Sequence, residues 1–141
     1  MSYVFANPNP DGKLVDDCVF RALSIVLDSD WEDVFAKLSV LALMHHDKPD
    51  ANYVWADLIE SNGFKRHILP DTCPNCYKVR DFVRDYPTGT YLLGTGTHVV
   101  AVKDGNYYDT FDSGDYVPVY YWAKEFYQPA PLDKIKKNSK Y

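Results

Sequence analysis

Two segments that lie far apart in the chain decide how its fold is interpreted: DDCVFRAL at residues 16–23, and THVVAVKDGNYYD at residues 97–109. The first has a cysteine, Cys18, directly after two aspartates, either of which can cap a helix. The second has the pattern of two strands joined by an Asp-Gly turn, which is a strong hairpin signal. Together they predict a helix that begins beside a thiol and a hairpin that carries an imidazole, His98.

The helical segment is indicated by apolar residues that recur at helical spacing after Cys18, namely Val19, Ala22, Leu23, Val26 and Leu27. This spacing places Cys18 in the first turn, where backbone N–H groups have no partner within the helix. A thiol is a weak nucleophile until it ionises, and a helix N-terminus and a nearby imidazolium are the usual means of lowering a thiol's pKa. We expect Cys18 to have both.

The rest of the chain predicts helices first and a sheet afterwards. Residues 7–12 form a turn-rich approach segment that contains two prolines. One helix is predicted from Trp31 to His45 or His46, and another from a cap at Asp50 or Asn52 through Trp55 to a stop at residues 62–63. A further helix is predicted from Val79 to Asp85. Strands are predicted at residues 64–69, 90–94, 98–103, 106–111 and 117–122. The expected fold class is α+β, with N-terminal helices packed on a C-terminal antiparallel β-sheet.

The length of the hairpin turn determines which carboxylate accompanies His98. If residues 104–105 form a two-residue turn, Val100 lies opposite Asp109, and His98 and Asp109 share one face of the sheet as diagonal neighbours. If the turn has three residues or a bulge, Asp112 moves opposite His98 instead. We therefore expect Asp109 to be the partner of His98 and keep Asp112 as the alternative.

A thiol, an imidazole and a carboxylate together form a triad for nucleophilic catalysis, which depends on geometry and not on chain order. In this hypothesis Cys18 attacks a carbonyl carbon, His98 moves the proton and Asp109 holds the imidazole. The oxyanion that forms needs hydrogen-bond donors. The candidates are the backbone N–H of Cys18 and the side-chain amide of Asn9 or Asn7.

These motifs resemble the papain-like cysteine peptidase superfamily in its compact bacterial and phage-type form. The resemblance spans about residues 9–122 and rests on residues 17–22, 94–102 and 104–109. It implies a papain-like fold in which Cys18 is the nucleophile, His98 the general base and Asp109 the third member. The predicted activity is that of a cysteine hydrolase, a peptidase, isopeptidase or amidase, that works through an acyl-enzyme.

One position departs from the pattern of that superfamily. Many of its members have a glutamine six residues before the cysteine, which serves the oxyanion hole, and this chain has Gly12 there. Asn9 or Asn7 replaces that glutamine, the backbone works alone, or the site does not perform hydrolysis. The second hypothesis is therefore a catalytically silent papain-like module that binds or inhibits, for instance a phage-encoded protein that engages a host protein or ligand.

Length and composition indicate one domain with a packed core. The chain has 141 residues, among them 12 Tyr, 7 Phe and 3 Trp, which favours a folded protein over a disordered one. We predict a single domain over residues 1–132. Residues 133–141 hold four Lys and one Asp, and we expect them to form a basic, flexible tail.

Charge and hydropathy narrow the classes of partner. The net charge is −5, which argues against a broad nucleic-acid surface. No stretch has the length of a membrane span, and the first residues lack the features of a secretory signal. We expect a cytoplasmic protein with a peptide or protein substrate and no cofactor, nucleic-acid or membrane partner.

The three cysteines leave one alternative chemistry open. Cys73 and Cys76 have the spacing of half a zinc site or of a redox pair. A structural zinc would need two more ligands, and His67, His45 or His46 could contribute only if the fold brought them near the cysteines. Three cysteines do not suggest a disulfide scaffold, and no βαβ pattern surrounds the pair. The sequence therefore predicts an ordinary loop and no metal site.

Overall fold

The computed structural model describes residues 2–124. Its helices are α1 (Cys18–Val26), α2 (Trp31–His45), α3 (Asn52–Ser61) and α4 (Val79–Asp85). Its strands are β1 (Tyr3–Phe5), β2 (Phe64–Ile68), β3 (Thr90–Gly94), β4 (Val99–Lys103), β5 (Asn106–Asp109) and β6 (Tyr120–Lys124). The α+β class is confirmed. The predicted domain end at residue 132 and the predicted tail at residues 133–141 lie outside the described residues.

The six strands form one mixed sheet in the order β1-β5-β4-β3-β6-β2. The prediction of a purely antiparallel C-terminal sheet is wrong at one edge, where β1 pairs in parallel with β5 and Tyr3 lies opposite Tyr107. At three residues, β1 is too short to show the alternation that identifies a strand from sequence. The N-terminus is thereby fixed beside the strand that ends at Asp109.

The hairpin between β4 and β5 has the predicted two-residue turn. Lys103 lies opposite Asn106, and Asp104 and Gly105 both have positive φ, at 47° and 79°. Positive φ at both central positions is typical of a type I′ turn, whose twist matches the flanking strands. The register that aligns Asp109 with His98 is therefore the one that forms.

Helices cover both faces of the sheet. Helices α1, α2 and α3 pack on one face, where Ala101 is buried, and α4 packs on the other, where Val100 is buried. Burial on both sides explains why β4 is a continuous apolar run and does not alternate. No helix within residues 2–124 has the length and apolarity that crossing a membrane requires.

The loop between β2 and α4 is closed by a disulfide between Cys73 and Cys76. The sequence analysis expected an ordinary loop here, and the covalent bond corrects that expectation. Both thiols are used in the bond, so neither is a thiolate ligand for zinc in this state. Within the described residues, no group of three or more His, Cys, Asp or Glu side chains is placed to hold a metal ion.

Candidate active site

Cys18 is the first residue of α1 and a partly exposed free thiol. The residue before it, Asp17, occupies the N-cap position but makes no side-chain capping hydrogen bond. Asp17 is buried, and its carboxylate instead accepts hydrogen bonds from Arg21 and from the indole of Trp31. The first N–H groups of α1 therefore stay available to an anion formed at Cys18.

His98 directly precedes β4 and is held by a tight turn. Both the N–H and the hydroxyl of Thr95 donate to the carbonyl of His98, at 2.8 and 3.1 Å, and Gly96 adopts a φ of 100° between them. The rings of Phe111 and Tyr116 pack against the imidazole, with centroids 5.1 and 5.5 Å away. The backbone and the aromatic contacts together leave the imidazole little freedom.

The imidazole of His98 connects Cys18 with Asp109. Its Nε2 lies 2.6 Å from Oδ2 of Asp109, and it lines one cleft with Cys18, close enough for the thiol to contribute to the raised pKa of the imidazole. Because Asp109 occupies Nε2, Nδ1 is the ring nitrogen left for the thiol. Burial lowers the pKa of His98, but the interactions with Asp109 and Cys18 outweigh burial and raise that pKa to about 9.

Asp109 is the buried anchor of the site. Besides Nε2 of His98, its carboxylate accepts from the hydroxyl of Ser113 and the N–H of Thr110, both at 2.8 Å, and from Arg21 at 3.2 Å. Burial raises the pKa of Asp109, but the bonds from His98, Ser113 and Thr110 outweigh it and hold the pKa below its ordinary value. Asp109 is therefore placed to stay ionised and to stabilise an imidazolium.

The alternative carboxylate, Asp112, is directed elsewhere. It accepts hydrogen bonds from the hydroxyl of Tyr107 and from the N–H of Gly114. The two-residue turn makes Asp109 the neighbour of His98, as the register argument predicts for that turn. Asp112 instead fixes the loop that follows β5.

The two side chains predicted for the oxyanion hole, Asn7 and Asn9, form hydrogen bonds within their own loop. The amide of Asn7 donates to the carbonyl of Lys13 at 3.1 Å, and Oδ1 of Asn9 accepts from the N–H groups of Asp11 and Lys13. Asparagine often stabilises turns in this way. In the part of the chain that the structure describes, neither amide lines the cleft beside Cys18.

Asn52 is the asparagine that lines the cleft beside Cys18. A cleft of about 150 Å³ is lined by Cys18, His98 and Asn52, together with Trp55 and Tyr120. Oδ1 of Asn52 accepts from the indole N–H of Trp55 at 3.2 Å, so the NH₂ group of Asn52 points away from that indole. From the sequence, Asn52 was a candidate cap of the third helix together with Asp50, and no signal indicated that it lines the cleft.

Arg21 is the second residue that the sequence analysis missed. It is buried at 7% exposure between two buried carboxylates, those of Asp17 and Asp109. A buried guanidinium is stable only when it is paired, and here it forms a hydrogen bond with each carboxylate. The spacing of four residues from Asp17 was a signal for the first of these contacts, but not for the second.

No protein family model, curated protein or solved structure matches this chain. The site must therefore be interpreted from its own geometry. That geometry combines a free thiol at a helix N-terminus, an imidazole in the same cleft and a buried carboxylate bonded to the imidazole. These groups can generate a nucleophile, accept and donate a proton, and support a negative charge that forms beside Cys18.

Proposed function

We propose that this protein is a thiol hydrolase of the papain-like type that cleaves an amide bond in a peptide or protein substrate. The observation that carries the proposal is the position of His98, which shares a cleft with Cys18 and is hydrogen-bonded to Asp109. Cys18 is the nucleophile, His98 the general acid and base, and Asp109 the residue that orients and charges the imidazole.

The reaction proceeds through an acyl-enzyme. Sγ of Cys18 attacks the carbonyl carbon, and the oxyanion accepts hydrogen bonds from the N–H of Cys18 and the NH₂ of Asn52. His98 gives its proton to the departing amine as the C–N bond breaks, which leaves a thioester. Neutral His98 then takes a proton from the water that attacks the thioester, and the acid product leaves as Cys18 is released as a thiolate beside the imidazolium.

Part of the proposal concerns the setting. Cys18 must remain a free thiol, which suits a reducing, cytoplasmic compartment. In such a compartment the bond between Cys73 and Cys76 would be reduced to two thiols. The reaction as written uses no cofactor, and the acidic chain favours a peptide or protein partner over nucleic acid or a membrane surface.

One observation favours a second candidate function, a module with the same cleft that binds without turnover. Asn9 and Asn7, the predicted counterparts of the superfamily's glutamine, bond within their own loop. If Asn52 does not supply the missing donor, the oxyanion has only backbone support. A substrate-like ligand would then bind without being cleaved, even though Cys18 could still be alkylated.

Cleavage of a complex peptide mixture tests the proposal. The parent protein and Cys18→Ala are incubated with peptides from a whole-cell digest, and new termini are counted by mass spectrometry. We expect new termini with the parent protein and none with Cys18→Ala. Equal termini from both proteins would overturn the assignment of Cys18, and none from either would favour the binding module.

A further inference from the structure

A larger pocket adjoins the candidate catalytic cleft. Its volume is about 430 Å³, which lies within the range of small-ligand sites. Three of its lining residues, Asn52, Trp55 and Tyr120, also line the cleft that contains Cys18. A substrate whose scissile bond lies at Cys18 can therefore place a neighbouring group in this pocket.

The walls of the pocket are aromatic and mutually packed. Trp55 stacks on Tyr120 with centroids 6.4 Å apart and meets Trp122 edge-on at 6.1 Å. Gly94 makes this arrangement possible, because a Cβ at that position would lie 2.0 Å from the ring of Tyr120. Because Gly94 has no side chain, the ring of Tyr120 has room to lie between the cleft and the pocket.

The pocket presents a positive charge that has no counter-ion among residues 2–124. The guanidinium of Arg66 lies over the ring of Tyr120, 4.5 Å from its centroid. Arg66 is exposed, and it makes no salt bridge within residues 2–124. An unpaired cation beside an aromatic wall, on a chain of net charge −5, is a site that attracts an anionic group.

Trp122 completes the aromatic wall beside Arg66. The two residues lie opposite each other on neighbouring strands, β2 and β6, and both line the pocket. Trp122 is 4% exposed, and its indole Nε1 is itself buried, so Trp122 offers the pocket ring surface. The guanidinium of Arg66, which can only donate, is therefore the charged group at this wall.

We propose that the pocket formed by Trp55, Arg66, Tyr120 and Trp122 selects substrates that carry a carboxylate next to the scissile bond. The carboxylate pairs with the guanidinium of Arg66, and the aliphatic part of the substrate packs on the aromatic wall. An acidic side chain and a free chain terminus both supply this group. The inference rests on the proposed function, because it takes Cys18 as the reacting atom.

Electrophilic probes that alkylate Cys18 test the pocket without a known substrate. The first pair is chloroacetyl-Glu-amide and chloroacetyl-Gln-amide, which match in shape and differ in charge. The same two probes with a glycine between the chloroacetyl group and the Glu or Gln place the side chain farther from Cys18. Chloroacetyl-Gln with a free C-terminus supplies a terminal carboxylate. Rates are followed by intact mass under non-reducing conditions, with Cys18→Ala as the unlabelled control.

We expect the preferred carboxylate probe to react about tenfold faster than its amide counterpart, as one charge-assisted hydrogen bond predicts. Arg66→Met should remove this preference. Lys65→Met is the matched control, since Lys65 is exposed on the same strand but does not line the pocket. It should keep the preference. Faster reaction of the probe with the side-chain carboxylate would mean that the pocket binds acidic side chains. Faster reaction of the probe with the terminal carboxylate would mean that it binds chain termini.

Equal rates for the carboxylate and amide probes at both spacer lengths, with iodoacetamide still reactive in a His98-dependent way, would overturn the carboxylate pocket alone. A Cys18 whose reaction with iodoacetamide is independent of His98 would overturn the proposed function instead. If Arg66→Met does not fold, the salt dependence of the preference in the parent protein decides. A charge-based preference must shrink as ionic strength rises, and one that does not change contradicts the pairing.

Discussion

Arg21 donates a hydrogen bond to Asp109 across 3.2 Å, and both side chains are buried. The helix that begins at Cys18 is thereby tied to the carboxylate behind His98. Arg21 also pairs with Asp17, the residue before Cys18. One guanidinium thus connects the helix N-terminus that presents the thiol with the strand that orients the imidazole.

Replacing Arg21 with methionine should strongly destabilise the protein. The substitution leaves the carboxylates of Asp17 and Asp109 buried without their cation, and breaking a buried ion pair in this way costs about 3–5 kcal/mol. The free energy of unfolding, measured in urea, checks this. Arg21→Lys is the control, because it keeps the charge but cannot reach both carboxylates in fork geometry, so we expect an intermediate loss. A loss below about 1 kcal/mol in Arg21→Met would contradict the bridging role.

An NMR titration of the His98 imidazole should give a pKa of about 9. Because this folded-state pKa lies above the unfolded value, the stabilisation from His98 is fully present below about pH 6.5. It should be lost as the pH rises through about 9. Asp109→Asn removes the paired charge, so the pKa should fall toward the ordinary histidine value. A His98 pKa that is the same in both proteins would contradict the ion pair.

Replacing Asn52 with alanine should slow peptide cleavage by about 10²–10³-fold, the usual cost of losing one oxyanion donor. Alkylation of Cys18 by iodoacetamide forms no oxyanion, so its rate should not change. Asn9→Ala is the matched control, because Asn9 holds its own loop and lies outside the cleft. Equal cleavage by Asn52→Ala and the parent protein would assign the oxyanion to the backbone alone.

Adding a methyl group at Gly94 should displace Tyr120. The new Cβ would lie 2.0 Å from the ring of Tyr120, so Gly94→Ala should cost about 1–3 kcal/mol through overpacking. In a Tyr120→Ala background the same change should cost much less, because the clashing ring is absent. Urea unfolding of the two single variants and the double variant measures this coupling. Additive losses would show that Gly94 is needed for another reason.

Much of the fold could be predicted because its signals are local. The apolar period after Cys18 indicated α1, and the Asp104-Gly105 turn fixed the register that brings Asp109 to His98. The parallel strand β1 could not be predicted, since three residues carry no pattern and their pairing depends on β5.

The parts of the site that were missed depend on long-range contacts. Arg21 meets Asp109 only after α1 packs on the sheet. Asn52 reaches the cleft only because α3 lies beside Cys18. The predicted amides of Asn7 and Asn9 had a strong local alternative, the turn that they stabilise. Sequence spacing gives no information on which of these contacts forms.

The pH dependence of Cys18 alkylation by iodoacetamide tests the central claim most directly. It is followed by intact mass in the parent protein, in His98→Ala and in His98→Gln, with folding of each variant verified by circular dichroism. The account predicts that the parent protein is alkylated faster than both variants at pH values below about 9, where His98 is an imidazolium that can stabilise the thiolate. Identical pH profiles in all three folded proteins would contradict it.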